Sequence, residues 1–311
     1  MQKKDNIVLS ICIPTCNRVE ILEKTVDSIL NSIERKKYTN IEICISDNSK
    51  TDETKELVDK KYKDNNYITY SQNSCEGFMN SIEALKLGKG KLLKLHNDYT
   101  RLNDQGLPVM RSDAMNNSDD SVIFYTLRSK KQHSETFDTF DQFLYNISYL
   151  STWSTSFAIW KSDFERLMSE NIQPNYMYPH TTLLFALTDK EKYIVNDFSI
   201  GENLQPKKKG GYNLLDNFMN IYLGMINGLV EDKSISPKTA SKIKWGILDF
   251  CARFEGLTKQ NKDIYTFTFD HRNEIIKNNY PKAYVGVYEV LYLVYSALYA
   301  AKKQINKITK E

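Results

Sequence analysis

Residues 11–18 read Ile-Cys-Ile-Pro-Thr-Cys-Asn-Arg, ICIPTCNR, and end an apolar run that begins at Ile7. The run IVLSICI is continuous and largely β-branched, as in a strand buried within a parallel sheet. It stops at Pro14 and turns through Thr15, Cys16, Asn17 and Arg18 before an amphipathic stretch starts at Val19. A buried strand followed so soon by a helix opens an α/β fold. A dinucleotide-binding turn here would carry G-x-G-x-x-G, so that the backbone could touch a pyrophosphate. ICIPTCNR has no glycine, and no phosphate loop ending in Gly-Lys-Ser/Thr occurs. A nucleotide held at this turn is gripped by side chains, at its base and ribose.

The same alternation continues outward. EILEKTVDSILNSIER sets Ile21, Leu22, Thr25, Val26, Ile29 and Ile33 on one helical stripe. IEICIS is a second buried strand and ETKELVDKKYK a polar helix; YITYSQ is a third strand, FMNSIEALKLGKG a third helix, KLLKLHND a fourth strand. The pattern predicts a mainly parallel sheet flanked by helices, with right-handed crossovers. From about 105 to 205 the reading is mixed. SVIFYTLRS, TSFAIW and YIVNDFSI read as strands; TFDTFDQFLYNIS, KSDFERLMSE and YPHTTLLFALTDK read as helices, the last with Pro179 in its first turn. PKKKGGYN, 206–213, reads as a basic flexible joint. Beyond it the chain is mainly helical and closes with a helix over 280–303. The expected parts are 1–105, 106–211 and 212–311.

Hydrophobic content of 41% and charged content of 26% fit a soluble globular protein. A net charge of +3 is too small for wholesale nucleic-acid binding, so no nucleic acid partner is expected. The five cysteines are scattered and odd in number, which fits free thiols in a reducing compartment. No basic-then-apolar leader precedes the first strand, and a cytoplasmic location is expected.

Ligands of open parallel sheets bind beyond the carboxyl ends of the strands. Three polar clusters fall at such ends: Pro14-Thr15-Cys16-Asn17-Arg18, Ser46-Asp47-Asn48-Ser49 and His96-Asn97-Asp98. With NSCEGFMNSIEALKLGKG between the second and third, these stretches resemble, in order, the signatures of family 2 glycosyltransferases of the GT-A fold. The resemblance covers about 7–105 and extends faintly to about 205 through STSFAIWKSDFERL. It implies a Rossmann-like GT-A domain, with a nucleotide-sugar-binding half followed by an acceptor-binding half and then a C-terminal helical region.

By that resemblance Pro14, Thr15, Asn17, Arg18, Asp47, Gly77, Asn80, His96 and Asn97 form the nucleotide site, usually for uridine. Asp47 can accept the uracil ring N–H, or bond its own loop as an Asx turn. Arg18 at a helix start opposes the helix dipole, a placement that favours a nearby anion. Gly77 and Asn80 can equally be a turn glycine and a helix-start residue. The family's acidic motif survives only as Asp98, which the resemblance makes the ligand of Mn²⁺ or Mg²⁺. His96 can contact ribose, serve as a second metal ligand, or be structural.

An inverting transfer needs a base. At the corresponding place stands His180, after Pro179 at a helix start; it can be the base or a half-buried histidine with one hydrogen bond. Asp163, Asp197 and Glu202 are the rival carboxylates. Lys207-Lys208-Lys209-Gly210-Gly211 can close over a diphosphate as a lid, or be a linker.

In the last helix Tyr284, Tyr288, Tyr292, Tyr295 and Tyr299 share one face. Length alone allows a membrane span, but the tyrosines and the central Glu289 argue against one. The helix either packs on its own domain or a second subunit, or docks peripherally on an anionic membrane through its tyrosines and trailing lysines. The expectation is a cytoplasmic, metal-assisted glycosyltransferase, taking a nucleotide-sugar (UDP) donor to a glycan or lipid-linked glycan acceptor of a bacterial surface polysaccharide such as capsule. Two other readings stay open. A non-catalytic sugar-nucleotide binder or scaffold would bind UDP without turnover. A nucleotidyltransferase would carry a glycine-rich, basic first turn, which ICIPTCNR lacks.

Overall fold

A computed structural model describes residues 6–126, 133–204 and 209–308. The chain forms two compact units, 1–204 and 205–311.

Unit 1 begins with β1 (Leu9–Thr15), α1 (Val19–Lys36), β2 (Ile41–Asp47) and α2 (Glu53–Leu57), which runs into a π-helical turn at Val58–Tyr62. β3 (Ile68–Gln72), α3 (Asn80–Lys86) and β4 (Leu92–Leu95) follow, then β5 (Thr100–Leu102), α4 (Gly106–Asn116), β6 (Ser121–Tyr125), β7 (His133–Phe137), α5 (Phe140–Ile147), β8 (Ala158–Trp160), α6 (Lys161–Ser169), α7 (Pro179–Phe185), β9 (Lys192–Asp197) and β10 (Gly201–Asn203). The main sheet has the order β3-β2-β1-β4-β8. β1 is parallel to both β2 and β4, as the alternation predicted, while β8 joins β4 antiparallel. The odd residues of β1, Leu9, Ile11 and Ile13, share a core with Leu22, Val26, Ile29 and Ile33 of α1 and Met110 of α4. α3 covers the opposite face, where both Cys12 and Cys44 are buried. Covering both faces explains why the strands read as unbroken apolar runs.

A second sheet, β6-β9-β7, abuts the first. The Trp160 indole N–H donates to Ser121 O at 2.8 Å, and Phe124 bridges Phe157. β7 went unread because its HSETF is polar and four of its five side chains are exposed.

Unit 2 holds β11 (Lys209–Asn213), a π-helical stretch at Asp216–Tyr222, α8 (Leu223–Glu231), α9 (Pro237–Gln260), β12 (Tyr265–Thr268), α10 (Arg272–Asn279) and α11 (Tyr284–Ile308). The joint expected at 206–213 is corrected in part. Lys207 and Lys208 lie outside the described residues, but Lys209–Asn213 is a strand parallel to β12. Its glycine serves close approach rather than hinging. Gly210 has φ +136°, and a Cβ there would sit 2.7 Å from the backbone N of Phe267.

Candidate functional site

In the order β3-β2-β1-β4, sequence-consecutive strands run one way from β1 and the fourth lies on its other side. Such a reversal leaves a crevice at the carboxyl ends of the two central strands. Pro14 widens it. The β1–β2 register continues to Thr15 opposite Asp47, whereas the β1–β4 register ends at Cys12 opposite Leu95. Alternate residues of a parallel strand address the same neighbour. Cys12 O accepts the His96 N–H at 2.8 Å, so Pro14 faces β4 next and has no N–H to give. The strands part there.

Asp98 fills the head of the gap. Its Oδ2 accepts from the Thr15 hydroxyl at 2.9 Å and its Oδ1 from the Arg18 guanidinium at 3.1 Å. The Thr25 hydroxyl of α1 donates to the Asp98 carbonyl at 2.9 Å. Asp98 is 2% exposed. Burial pushes its carboxyl above the ordinary range, opposed by Arg18 and by the Thr15 hydroxyl. Arg18 itself is partly exposed and lies 5.7 Å from the centre of the Tyr99 ring. A cation at the start of α1 is thus compensated from β4's side, as its unfavourable dipole position required.

The first and second clusters meet at Asn80, which is buried. Its amide donates to Thr15 O at 3.1 Å, Ser46 O at 2.9 Å and Asn48 Oδ1 at 3.1 Å. Its Oδ1 accepts from Ser46 Oγ at 2.7 Å and Asn73 Nδ2 at 3.1 Å. One side chain therefore ties the ends of β1 and β2 to the start of α3. Asp47 shows the turn alternative: its Oδ1 accepts the Ser49 N–H at 2.9 Å, and its Oδ2 accepts the Tyr70 hydroxyl at 3.1 Å. Asn48 Nδ2 reaches Gly77 O at 3.3 Å, and Gly77 has φ +50°. Asn17 also has a positive φ, +53°, and its N–H donates to Ser49 Oγ at 2.7 Å.

His96 is interior, 1% exposed. Its Nε2 lies 2.7 Å from Thr100 O, and a carbonyl only accepts, so Nε2 carries the proton. Nδ1 is a buried lone pair without a partner. Burial, with Lys94 nearby, lowers its pKa to about 3. The ring braces the turn after β4 and does not reach the surface. Asn97 beside it is partly exposed; its N–H donates to Thr155 Oγ1 at 3.1 Å, and its Oδ1 accepts from Ser154 Oγ at 3.1 Å.

His180 sits in α7, which packs on α3. It is 6% exposed, and burial lowers its pKa to about 4. A hydrogen bond to the Thr152 backbone engages Nδ1, since Nε2 has no partner. The neutral ring therefore carries its lone pair on Nε2, the form a base needs. Its ring centre lies 6.1 Å from that of Phe157, whose carbonyl accepts the Leu95 N–H at 3.1 Å. Of the rivals, Asp163 is tied to Lys190 at 2.6 Å and Arg166 at 3.3 Å. Asp197 ends β9 and Glu202 lies exposed on β10.

Among the described residues no three His, Cys, Asp or Glu side chains converge on one point. At the parted ends of β1 and β4 the carboxylate is that of Asp98, while the neighbouring Asp47 carboxylate is engaged by Ser49 and Tyr70. That fits a divalent cation taking one protein oxygen and the rest from donor phosphates and water, a habit of Mg²⁺ sites. Lys94 was not anticipated from sequence. It is fully buried in β4 and donates to the carbonyls of Leu95, at 2.7 Å, and of Thr155. Burial lowers its pKa to about 7. It fastens the 154–156 turn that holds Asn97. Thr25 was read only as a member of the apolar stripe; a lone hydroxyl on that stripe was the available signal.

Residues 10–123 match the model described as glycosyl transferase family 2, so the resemblance drawn from the motifs holds over the N-terminal part of unit 1. Abequosyltransferase RfbV of Salmonella typhimurium is 46% identical over 69 residues, 22% of this chain and 20% of that protein. The UDP-Glc:alpha-D-GlcNAc-diphosphoundecaprenol beta-1,3-glucosyltransferase WfaP of Escherichia coli is 36% identical over 87 residues, 28% of this chain and 33% of that one. The matches thus span a fifth to a third of these relatives. Among solved structures, S. aureus TarS 1–349 aligns with a TM-score of 0.54 at 13% identity, covering 95% of this chain and 91% of that one. The mannosyltransferase PcManGT of Pyrobaculum calidifontis, in complex with GDP-Man and Mn²⁺, aligns at 0.54 and 13%, covering 99% and 89%. The fold is GT-A, a mainly parallel sheet flanked by helices with helices at the C-terminus.

Proposed function

We propose that the protein transfers a sugar, with inversion, from a nucleoside diphosphate donor (UDP) to a glycan or lipid-linked glycan acceptor of a bacterial surface polysaccharide. The observation that carries this is the triad at the parted ends of β1 and β4: Asp98 held by Thr15 and Arg18. The names of the relatives support the acceptor class, since one acts on a diphosphoundecaprenol-linked sugar. An acceptor of that kind would set the work at the inner face of the cell membrane, from the cytoplasm.

The partly exposed members, Arg18 and Asn97, and the exposed Asn17 meet the donor. Thr15, Asp47, Asn80 and His96 are buried and hold the loops that present them, with Pro14 and Gly77 shaping two of the turns. Arg18 places a positive charge beside the departing diphosphate. Asp98 is the residue that would hold Mn²⁺ or Mg²⁺; when bound, the cation neutralises leaving-group charge. His180, neutral with the lone pair on Nε2, is the proposed base for the acceptor hydroxyl's proton; that atom is buried, so the acceptor hydroxyl has to enter beside it.

Calorimetric titration with UDP, GDP, CDP and dTDP, each with and without Mn²⁺, tests the donor and the metal. One nucleotide should bind selectively, more tightly with Mn²⁺, and Asp98→Ala should lose the metal's contribution. Binding of none, or an unchanged metal effect in Asp98→Ala, defeats the proposal. A non-catalytic binder is favoured by one observation, that both oxygens of the Asp98 carboxylate are already engaged. Donor-sugar release in the presence of acceptor separates the two, because a binder gives none.

A further inference from the structure

In unit 2, α11 packs on α9 with its tyrosine face. The Tyr288 hydroxyl donates to Glu255 at 2.8 Å, the Tyr295 hydroxyl to Asp249 at 2.7 Å, and the Tyr292 hydroxyl accepts from Lys259 at 2.9 Å. Arg272 bridges Glu255 at 2.9 Å and Glu289 at 2.6 Å across the same seam. Tyr288, Tyr292 and Tyr295 are therefore engaged inside the unit, and of the alternatives left open by the sequence this face takes packing on its own unit. A helix so pinned by ion pairs on its own unit does not cross a bilayer, although its length and composition would allow it.

The opposite face is the anomaly. Val290, Leu293, Val294 and Leu298 are 62%, 55%, 50% and 59% exposed. Their steps of three, one and four put them on one stripe, continued by exposed Gly286, Ala297 and Ala301. Four large aliphatic side chains aligned on one exposed face are a patch rather than scatter. The stripe carries no acid. Its ends carry exposed lysines, Lys282 before it and Lys302 and Lys303 after it, of which Lys303 donates to Gln260 O of α9 at 2.7 Å and so leaves Lys282 and Lys302 as the free flanking cations. Near its first end the half-exposed Trp245 packs edge-on against Tyr284, 6.5 Å between ring centres.

We propose that this stripe of α11 lies in the surface of an anionic phospholipid bilayer, with the flanking lysines on the headgroups. Charge decides between this and a second copy. Two such helices laid face to face bring lysine to lysine whether parallel or antiparallel, whereas an anionic surface complements both ends. Apolar side chains on one face, cations at its ends and an aromatic near one end are what an interfacial helix presents.

Flotation of the full chain with phosphatidylcholine vesicles, with and without phosphatidylglycerol, tests this, alongside light scattering for oligomeric state. The wild type should float only with phosphatidylglycerol present. Leu293→Gln/Leu298→Gln should abolish flotation with the unfolding transition unchanged. Lys282→Gln/Lys302→Gln should weaken partitioning about thirtyfold, taking about 1 kcal/mol per lysine near an anionic surface. The inference is overturned if the wild type does not float, or if the glutamine pair floats undiminished. A dimer that the glutamine pair dissociates, without flotation, overturns it in favour of a second copy.

Discussion

At the carboxyl edge of unit 1's main sheet, Thr15, Ser46, Asp47, Asn80, His96 and Asp98 are buried polar side chains; on α11 of unit 2, Val290, Leu293, Val294 and Leu298 are exposed apolar ones. Each region departs from ordinary burial, in opposite senses. The difference lies in what each has already been given. The buried polar groups have protein partners almost throughout, so their cost is met within the fold and their geometry is fixed. The exposed apolar groups have only water, so the free energy of covering them is still available to an outside surface. A preorganised site and an unspent docking face are thus two uses of the same physics.

The largest effect should come from taking one partner out of the first region. Asn80→Ala leaves Thr15 O, Ser46 and Asn73 short of hydrogen bonds in a dry place, at about 1–3 kcal/mol for each group left unsatisfied, so at least about 3 kcal/mol in sum. The matching change in the second region, Leu298→Ser, should stay within about 0.5 kcal/mol, since an exposed side chain gives up little. Urea unfolding of both variants measures the contrast. A cheap Asn80→Ala would mean that water already reaches the web.

A second prediction turns on acid. His96 and His180 are lowered to about 3 and about 4 by burial. Their neutral forms are stable in the fold above the unfolded value near 6.5, so stability is lost as pH falls below that. The slope is about 1.4 kcal/mol per pH unit for each ring. Asp113 works the other way. Burial pushes it up to about 6, so the fold takes up its proton first and gains stability as pH falls through 6. Unfolding free energies between pH 6 and 5 should therefore flatten by about one proton in His180→Gln and steepen in Asp113→Asn. An unchanged slope in His180→Gln would place its ring in solvent and remove the basis for an orphaned Nε2.

The two regions were unequally legible in the sequence. Continuous apolar runs gave β1, β2 and β4 and the sheet they make, because burial on both faces leaves a pattern that survives without coordinates. The polar clusters were found at strand ends for the same reason. Which of them face solvent was not legible, since His96 and Asn97 are adjacent and differ only in which way the turn after β4 points. Lys94 looked like an ordinary polar residue of KLLKL; only tertiary packing decides that its ammonium enters the core. β11 was hidden because Lys-Gly-Gly has no strand pattern, its pairing being set by β12. On α11 the tyrosine spacing was plain, yet which face meets α9 depended on where Asp249, Glu255 and Lys259 stand on another helix.

The smallest expected effect reaches back to the missing glycine of ICIPTCNR. Asn17 holds φ +53° in the turn between β1 and α1, a conformation that costs most L-residues about 1 kcal/mol and that asparagine tolerates best after glycine. Asn17→Ala should therefore lose about 1 kcal/mol of stability, while Asn17→Gly should lose almost none, since glycine adopts this φ freely. The glycine variant keeps the backbone, with its N–H on Ser49 Oγ at 2.7 Å, and removes only an exposed amide. If it binds nucleotide as well as the wild type does, Asn17 is there for the turn alone, and any enzyme of this kind could have used glycine. If it unfolds normally but binds several-fold more weakly, the side chain itself meets the donor. The chain then keeps asparagine because one residue supplies both the left-handed turn and a hydrogen-bonding group at the mouth of the crevice.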